Sequence, residues 1–189
     1  MQSALSSIRV VIATLLICVA GYASAIWAVG RVFAPDTAEA SLIKRADGTI
    51  VGSRLIGQNF TEAKYFWPRP SNAGKTGYDG TSAAGSNKSP TSEDLTTRAK
   101  EVVERYGATA EKPLPPELAA ASGGGLDPHI SERGALYQVA RVAEARGMSA
   151  SQVEAMVRER SYAPGGFLTP DKIVNVLELN LALDSLSAQ

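Results

Sequence analysis

The chain has 189 residues with 19 basic and 19 acidic side chains, so no net charge draws it to nucleic acid or to an anionic membrane surface. Its one cysteine excludes a disulfide framework within the chain. The 17 glycines and 10 prolines predict a domain that is rich in turns and has a modest core.

The first predicted element is a membrane-spanning helix over residues 10–30, which carry no charge between Arg9 and Arg31. As a helix this stretch is about 31 Å long, close to the roughly 30 Å hydrocarbon core of a bilayer. The alternative is a cleaved export signal with Ala23-Ser24-Ala25 as the cleavage site. The apolar run continues past that site and places Trp27 as an interfacial anchor, which favours a retained helix.

The span also predicts a topology and a contact face. Small residues recur along one side at Ala20, Ser24 and Ala28, a pattern that lets another transmembrane helix approach closely, although small residues are common in any span.

The segment before the span, residues 1–9, is short and lacks acidic groups, so we expect a cytoplasmic tail. A connector over residues 31–40 then leads to one soluble extracytoplasmic domain, residues 41–189. The expected fold class is α+β, with one N-terminal transmembrane helix followed by this mixed domain.

A β-hairpin is predicted at the start of the domain. Apolar runs at residues 42–43 and 50–56 flank Asp47-Gly48, a pair suited to the positive backbone angles of a two-residue turn. Residues 65–67 are three consecutive aromatics, and prolines on both sides of Arg69 predict an extended segment. Either the aromatics fill the core beside a solvated Arg69, which their spacing favours, or the segment is a docking surface.

Residues 72–91 have no apolar period and predict a long loop, and helical signals follow it. One helix is expected from about residue 92 to Gly107, and another from Glu132 to Arg146. The second has Ser131 as its cap, Ala140 on its buried face, and Gln138 and Arg141 on or near its polar side. Between these helices, residues 112–121 suggest an extended lead into a strand.

Two more helices complete the predicted domain. Ser149 and Gln152 form a capping box at the start of the first. The last helix has Thr169 as its cap and Pro170 at its first position, and its alternation of apolar residues also permits a strand.

The densest motif is the glycine-rich loop, residues 122–131, which contains Asp127 and His129. A membrane-anchored or secreted hydrolase that uses Asp127, His129 and a serine is the enzyme alternative. We favour a bracing role, since an Asp-Pro pair starts turns, and a lone histidine disfavours a zinc site. The loop lacks the glycine spacing of a phosphate-binding loop, so we assign no catalytic and no metal-binding residue. Anion binding at the helix start after Ser131 stays open.

Several long stretches carry a family resemblance. They are residues 51–60, 65–71, 125–131, 138–143 and 174–183. Together with the span, they closely resemble the C subunit of the Kdp-type potassium-transporting P-type ATPase of bacteria. The chain differs from the usual sequence pattern of the family at Gly124, where a serine is common, and at residues 88–92.

The resemblance implies a non-catalytic accessory subunit of a high-affinity, ATP-driven potassium import complex in the bacterial inner membrane. Its partners would be a channel-like potassium-translocating subunit, an ATP-hydrolysing P-type subunit and a small single-span subunit. The family is described as a catalytic chaperone that raises the ATP affinity of the hydrolysing subunit, and residues 122–126 are similar to a stretch compared with nucleotide-binding signatures. An exported domain cannot meet cytoplasmic ATP, so ATP and potassium would act at the level of the complex, with no cofactor bound here.

Two groups of site residues follow from these patterns. The loop motif, with a structural or partner-binding role, consists of Gly123, Gly125, Leu126, Asp127, Pro128, His129 and Ser131. The partner-binding candidates are Ala20, Ser24, Ala28, Gln58, Arg69, Gln138 and Arg141.

Overall fold

The computed structural model describes residues 2–45, 47–169 and 171–187. The chain divides into two compact units, Met1–Val51 and Gly52–Gln189.

The first unit is dominated by one long apolar helix, Gln2–Phe33, whose side chains are almost all exposed. It consists of α1 (Gln2–Thr14), a π-helical segment (Leu15–Gly21) and α2 (Tyr22–Phe33). Among the described residues it is the one helix long and apolar enough to cross a membrane.

A short helix, α3 (Pro35–Ala38), turns back on the end of α2. A β-carbon placed on Gly30 would lie 3.6 Å from the Ala38 β-carbon, and Arg31 pairs with Glu39.

The predicted hairpin is confirmed, but its turn differs from the prediction. Strands β1 (Leu42–Lys44) and β2 (Ile50–Ser53) pair as a two-stranded sheet. Arg45 N–H donates to Thr49 O at 2.9 Å, which leaves three residues in the loop instead of two. Gly48 has a φ of +83°, and the hydrogen bond between Arg45 and Thr49 shows that the two-residue turn was wrong. A loop of three residues that ends on a left-handed glycine is a common hairpin connection.

The second unit contains most of the helices. After the loop at residues 54–92 come α4 (Glu93–Tyr106), α5 (Pro116–Ala119), β3 (His129–Ser131), α6 (Glu132–Arg146), α7 (Ala150–Arg160), a 3₁₀ turn (Gly166–Leu168), β4 (Ile173–Asn175) and α8 (Val176–Ser187).

Local capping signals correctly predicted the ends of α4 and α6 and the starts of α6 and α7, whereas Ser92, at the start of α4, makes no side-chain cap hydrogen bond. Gly107 and Gly147 are left-handed caps, with φ of +59° and +64°. The Ser149 capping box is present, and Ser131 caps α6. On α6, however, Ala140 is exposed, while Gln138 is buried together with the apolar stripe.

The strands β3 and β4 form a two-stranded sheet in the second unit. They pair antiparallel, with Ile130 opposite Val174. The pairing continues at both ends through Glu132 N–H to Lys172 O and Val176 N–H to Pro128 O, each 2.9 Å. Fully buried apolar side chains from the aromatic segment, the central strands and helices α5 to α8 form the core: Phe66, Leu118, Ile130, Val142, Val153, Val157, Val174, Leu179 and Leu183.

Two predicted elements were wrong. The last helix does not start at Thr169, because residues 173–175 form β4 and the helix begins at Val176; Pro170 lies outside the described residues. Residues 112–121 contain the short helix α5 instead of an extended lead into a strand. A proline in the sequence indicates a break in regular structure, but it does not decide whether a helix or a strand comes next.

Candidate functional site

The glycine-rich loop, residues 122–131, is docked by its backbone against neighbouring segments of the domain. Ser122 N–H donates to Pro70 O at 3.2 Å, and Gly57 N–H donates to Leu126 O at 2.8 Å. These main-chain hydrogen bonds fix the loop at two separate places.

The glycines of this loop have different reasons to be glycine. Gly125 has a φ of +73°, and a β-carbon there would lie 2.7 Å from Ala73 N and 2.8 Å from Ala84 O. A larger residue at this position is excluded by both conformation and space. Gly123 and Gly124 are exposed, have no positive φ and face open space, so packing against the described part of the chain does not require glycine at either position.

A chain of polar contacts links the loop to two other segments. Arg69 Nη1 lies 3.0 Å from Asp127 Oδ2, and Arg69 Nη2 donates to Ala121 O at 3.3 Å. Asp127 Oδ1 accepts the His129 backbone N–H at 2.9 Å, and the ring Nδ1 is 3.5 Å away. His129 Nε2 lies 3.0 Å from the Tyr162 hydroxyl. The expectation of a solvated Arg69 is therefore wrong, since its guanidinium holds the loop.

These contacts also set the charge state of Asp127. Burial opposes ionisation of the carboxyl group, but the hydrogen bonds from His129 and the Arg69 guanidinium outweigh it and hold the pKa of Asp127 below its ordinary value. The carboxylate is thus ionised at neutral pH and serves as the acceptor that joins Arg69 to the loop.

The arrangement does not form a hydrolytic triad. In a triad, the imidazole nitrogen that points away from the aspartate contacts a serine hydroxyl. Here the Tyr162 hydroxyl occupies that position at His129 Nε2. The geometry supports the bracing role of Asp127 and His129 over the hydrolase alternative.

The start of α6 already has an anionic group beside it. Ser131 Oγ accepts the Gly134 N–H at 2.9 Å, and the Ser131 hydroxyl donates to the Glu117 carboxylate. A β-carbon on Gly134 would lie 3.0 Å from Glu117 Oε1, so the carboxylate covers the first turn. Since Glu117 supplies the negative charge that this helix end favours, the geometry does not support binding of an external anion here.

The aromatic segment, residues 65–67, lies outside helices and strands, and buried amide side chains take the place of a neighbouring strand. Phe66 N–H donates to Asn180 Oδ1 at 2.8 Å, and Asn180 Nδ2 donates to Phe66 O at 3.0 Å. Gln138 forms the same pair of bonds with Trp67, at 2.8 and 3.1 Å. We call Gln138 and Asn180 the amide clamp; each is 1% exposed.

Two arginines of α6 reinforce this clamp. Arg141 donates to the backbone oxygens of Ala63 and Tyr65, and its guanidinium carbon lies 3.6 Å from the centre of the Trp67 ring. Burial lowers the pKa of Arg141 to about 10, so it stays charged at neutral pH. Arg146 Nε donates to a further backbone oxygen of the same turn at 2.7 Å.

The structure therefore separates the predicted partner-binding residues into two groups. Gln138, Arg141 and Arg69 are engaged inside the domain, and Gln58 is half-buried against Gly52. The small residues of the span are exposed in the first unit: Ala20, Ser24 and Ala28.

No group of three or more His, Cys, Asp or Glu side chains suited to a metal ion occurs within residues 2–45, 47–169 and 171–187.

Sequence reasoning assigned no site role to Asn180, Glu117 or Tyr162. Asn180 carried a usable signal, because a buried polar residue within an apolar helix must find a hydrogen-bond partner. Glu117 and Tyr162 carried no such signal, since their contacts bridge separate elements.

The geometry defines a class of protein: an α+β domain that follows one helix able to span a membrane. Residues 4–185 match the family model described as KdpC, the c chain of K⁺-transporting ATPase. The chain is 65% identical over 184 residues to the potassium-transporting ATPase KdpC subunit of Parvibaculum lavamentivorans, covering 97% of both chains. It is 47% identical over 175 residues to that of Citrifermentans bemidjiense, covering 90% of both chains. It is 46% identical over 170 residues to that of Mycobacterium tuberculosis, covering 87% of this chain and 88% of the other. The chain belongs to the KdpC family.

Proposed function

We propose that the chain is the accessory, non-catalytic subunit of an ATP-driven potassium import complex. The observation that carries this proposal is the match to the KdpC family over residues 4–185, on a chain that begins with an exposed apolar helix, Gln2–Phe33. Its partners would be a channel-like potassium-translocating subunit, an ATP-hydrolysing P-type subunit and a small single-span subunit.

The proposed topology is single-pass in the inner membrane. Residues 1–9 form the cytoplasmic tail, residues 10–30 cross the bilayer, and residues 31–40 connect to an extracytoplasmic domain over residues 41–189. The charge-free stretch between Arg9 and Arg31 supports the span, and a short tail without acidic residues supports the orientation.

Within the complex, the span and the domain have separate tasks. Ala20, Ser24 and Ala28 would contact a helix of the translocating subunit, because small side chains allow close backbone approach. Arg69, Gln138 and Arg141 would act indirectly, by fixing the surface of the domain that meets a partner.

The effect on ATP is proposed to be indirect. A domain outside the cytoplasm cannot touch cytoplasmic ATP, so an increase in ATP affinity of the hydrolysing subunit requires coupling through the complex. The docked, ion-paired loop at residues 122–131 supports a rigid surface better than a nucleotide cradle.

Two experiments test this proposal. In a Cys18→Ser background, Gly124→Cys and Ser6→Cys are labelled in intact cells with a membrane-impermeant maleimide. We expect labelling at position 124 alone, and labelling at position 6 alone would refute the topology.

The second experiment is affinity purification in mild detergent with identification of the companion subunits. Ser24→Leu adds bulk to the small-residue face and should reduce recovery of the complex, whereas Ile26→Phe adds bulk to the opposite side and should not. Equal recovery from both variants would remove the docking role of that face, and purification without companions would remove the subunit function itself.

A further inference from the structure

A cavity of about 170 Å³ lies between α4 and the loop that follows the aromatic segment. Pro70, Val102, Leu118 and Tyr106 contribute apolar or aromatic surface to its wall, and Asn59, Ser71, Thr76 and Arg105 contribute polar groups. Neither the loop motif nor the proposed role of the span uses this cavity, which we call the Tyr106 pocket.

The hydroxyl of Tyr106 is buried and has no hydrogen-bond partner among the residues that the structure describes. Its ring is held in place by edge contacts with Trp67 and Tyr137, at centroid distances of 5.1 and 6.2 Å. Burial raises the pKa of Tyr106 to about 12, so the phenol keeps its proton at neutral pH. A buried donor without an acceptor is unfavourable, and its neutral O–H favours a ligand that supplies an acceptor.

The charge at this pocket has one sign. Among the described residues that line it, Arg105 is the charged one. Its guanidinium is fixed 4.0 Å from the centre of the Trp67 ring and donates to Phe60 O at 3.3 Å. A fixed cation beside a phenol donor attracts a negative acceptor and repels an ammonium group.

We propose that the Tyr106 pocket binds a carboxylate on a short apolar stem. The carboxylate accepts from the Tyr106 hydroxyl and lies in the field of Arg105, while the stem contacts the prolines, Val102 and Leu118. The small volume and the single cation fit a carboxylate better than a phosphate dianion, which requires more donors. The same chemistry has two sources: a free short-chain acid, or an Asp or Glu side chain of another subunit. The second source rests on the proposed function.

The test uses the full chain in detergent, with Trp27→Phe so that Trp67 reports alone. Sodium propionate, which has the stem of a glutamate side chain, is titrated against sodium chloride at equal ionic strength. We expect a saturable fluorescence change in the parent, at least about tenfold weaker binding in Tyr106→Phe, and weaker binding in Arg105→Gln.

Tyr137→Phe is the matched control, because the Tyr137 hydroxyl has a partner in the chain, Lys112 O at 3.2 Å. It should bind propionate like the parent. Without propionate, Tyr106→Phe should melt at the same or a higher temperature than the parent, since it removes an unsatisfied donor. A variant that binds weakly but is not less stable separates ligand binding from damage to the fold.

The assembled complex distinguishes the sources. If propionate binds there as it binds the free chain, the source is a free acid; if assembly abolishes binding, a partner side chain occupies the pocket. Absence of a saturable response in the free parent chain, or equal binding by Tyr106→Phe, overturns the proposal and leaves a water-filled cavity. Such a failure leaves co-purification of the complex untouched, so it is distinguishable from failure of the proposed function.

Discussion

Removing one half of the amide clamp should cost much of the stability of the domain. Asn180 gives Phe66 both of its backbone partners, at 2.8 and 3.0 Å, and Phe66 is 0% exposed. In Asn180→Leu the side chain keeps a similar volume, but one buried N–H and one buried C=O lose their partners. Each orphaned group costs about 1–3 kcal/mol, so we expect a loss of about 2–6 kcal/mol in the free energy of unfolding. Domains of this kind have about 5–15 kcal/mol in total.

The assay combines denaturant unfolding of the full chain in detergent with hydrogen exchange resolved at single amides. Asn180→Leu should accelerate exchange most at Phe66, whereas Gln138→Met should accelerate it most at Trp67, whose N–H donates to Gln138 at 2.8 Å. Each variant is therefore the control for the other. An unfolding free energy within about 0.5 kcal/mol of the parent, with unchanged exchange at Phe66, would refute the role of the clamp.

Two further predictions concern the glycine-rich loop. Gly125→Ala should lower the free energy of unfolding by about 2–5 kcal/mol, because the alanine would have a left-handed backbone and would overpack its neighbours. The neighbouring Gly124→Ala should change this free energy by less than about 0.5 kcal/mol. Comparable losses in both variants would contradict this account of the loop. The lowered pKa of Asp127 stabilises the fold above the ordinary carboxyl pKa of about 3.8, and this contribution is lost as the pH falls through the folded-state value. Asp127→Asn should therefore be less stable than the parent at pH 7, with a gap that narrows in acid, as measured by thermal melting across pH; a gap that is constant with pH would exclude the carboxylate charge as the cause.

Features that depend on neighbouring residues could be predicted from the sequence. The caps at Ser131, Ser149, Gly107 and Gly147 depend on contacts within a few positions, so the residue types alone were sufficient to predict these helix ends. The presence of a hairpin was likewise predictable from its flanking apolar runs.

Features that depend on distant residues were not predictable in this way. The strand β4 forms because residues 129–131 offer it a partner, and local helix signals around Thr169 concealed that pairing. The local pattern places Gln138 on or near the polar side of α6, because its partner, Trp67, lies 71 positions away and leaves no local signal. Within the loop motif, the sequence identified Asp127 and His129 but not the Arg69 and Tyr162 contacts that complete the chain of polar groups.

The amide clamp has a consequence for the order of folding. Its hydrogen bonds join residues 71 and 114 positions apart, so residues 65–67 have no ordered path until α6 and α8 are in place. Closing such long loops delays these contacts relative to local helix formation. The aromatic segment should then become ordered after the folding transition state, with φ-values near zero at Phe66 for mutations that remove its side-chain contacts. A newly synthesised chain would meanwhile expose its three consecutive aromatics, which makes this segment prone to aggregation before the helices dock.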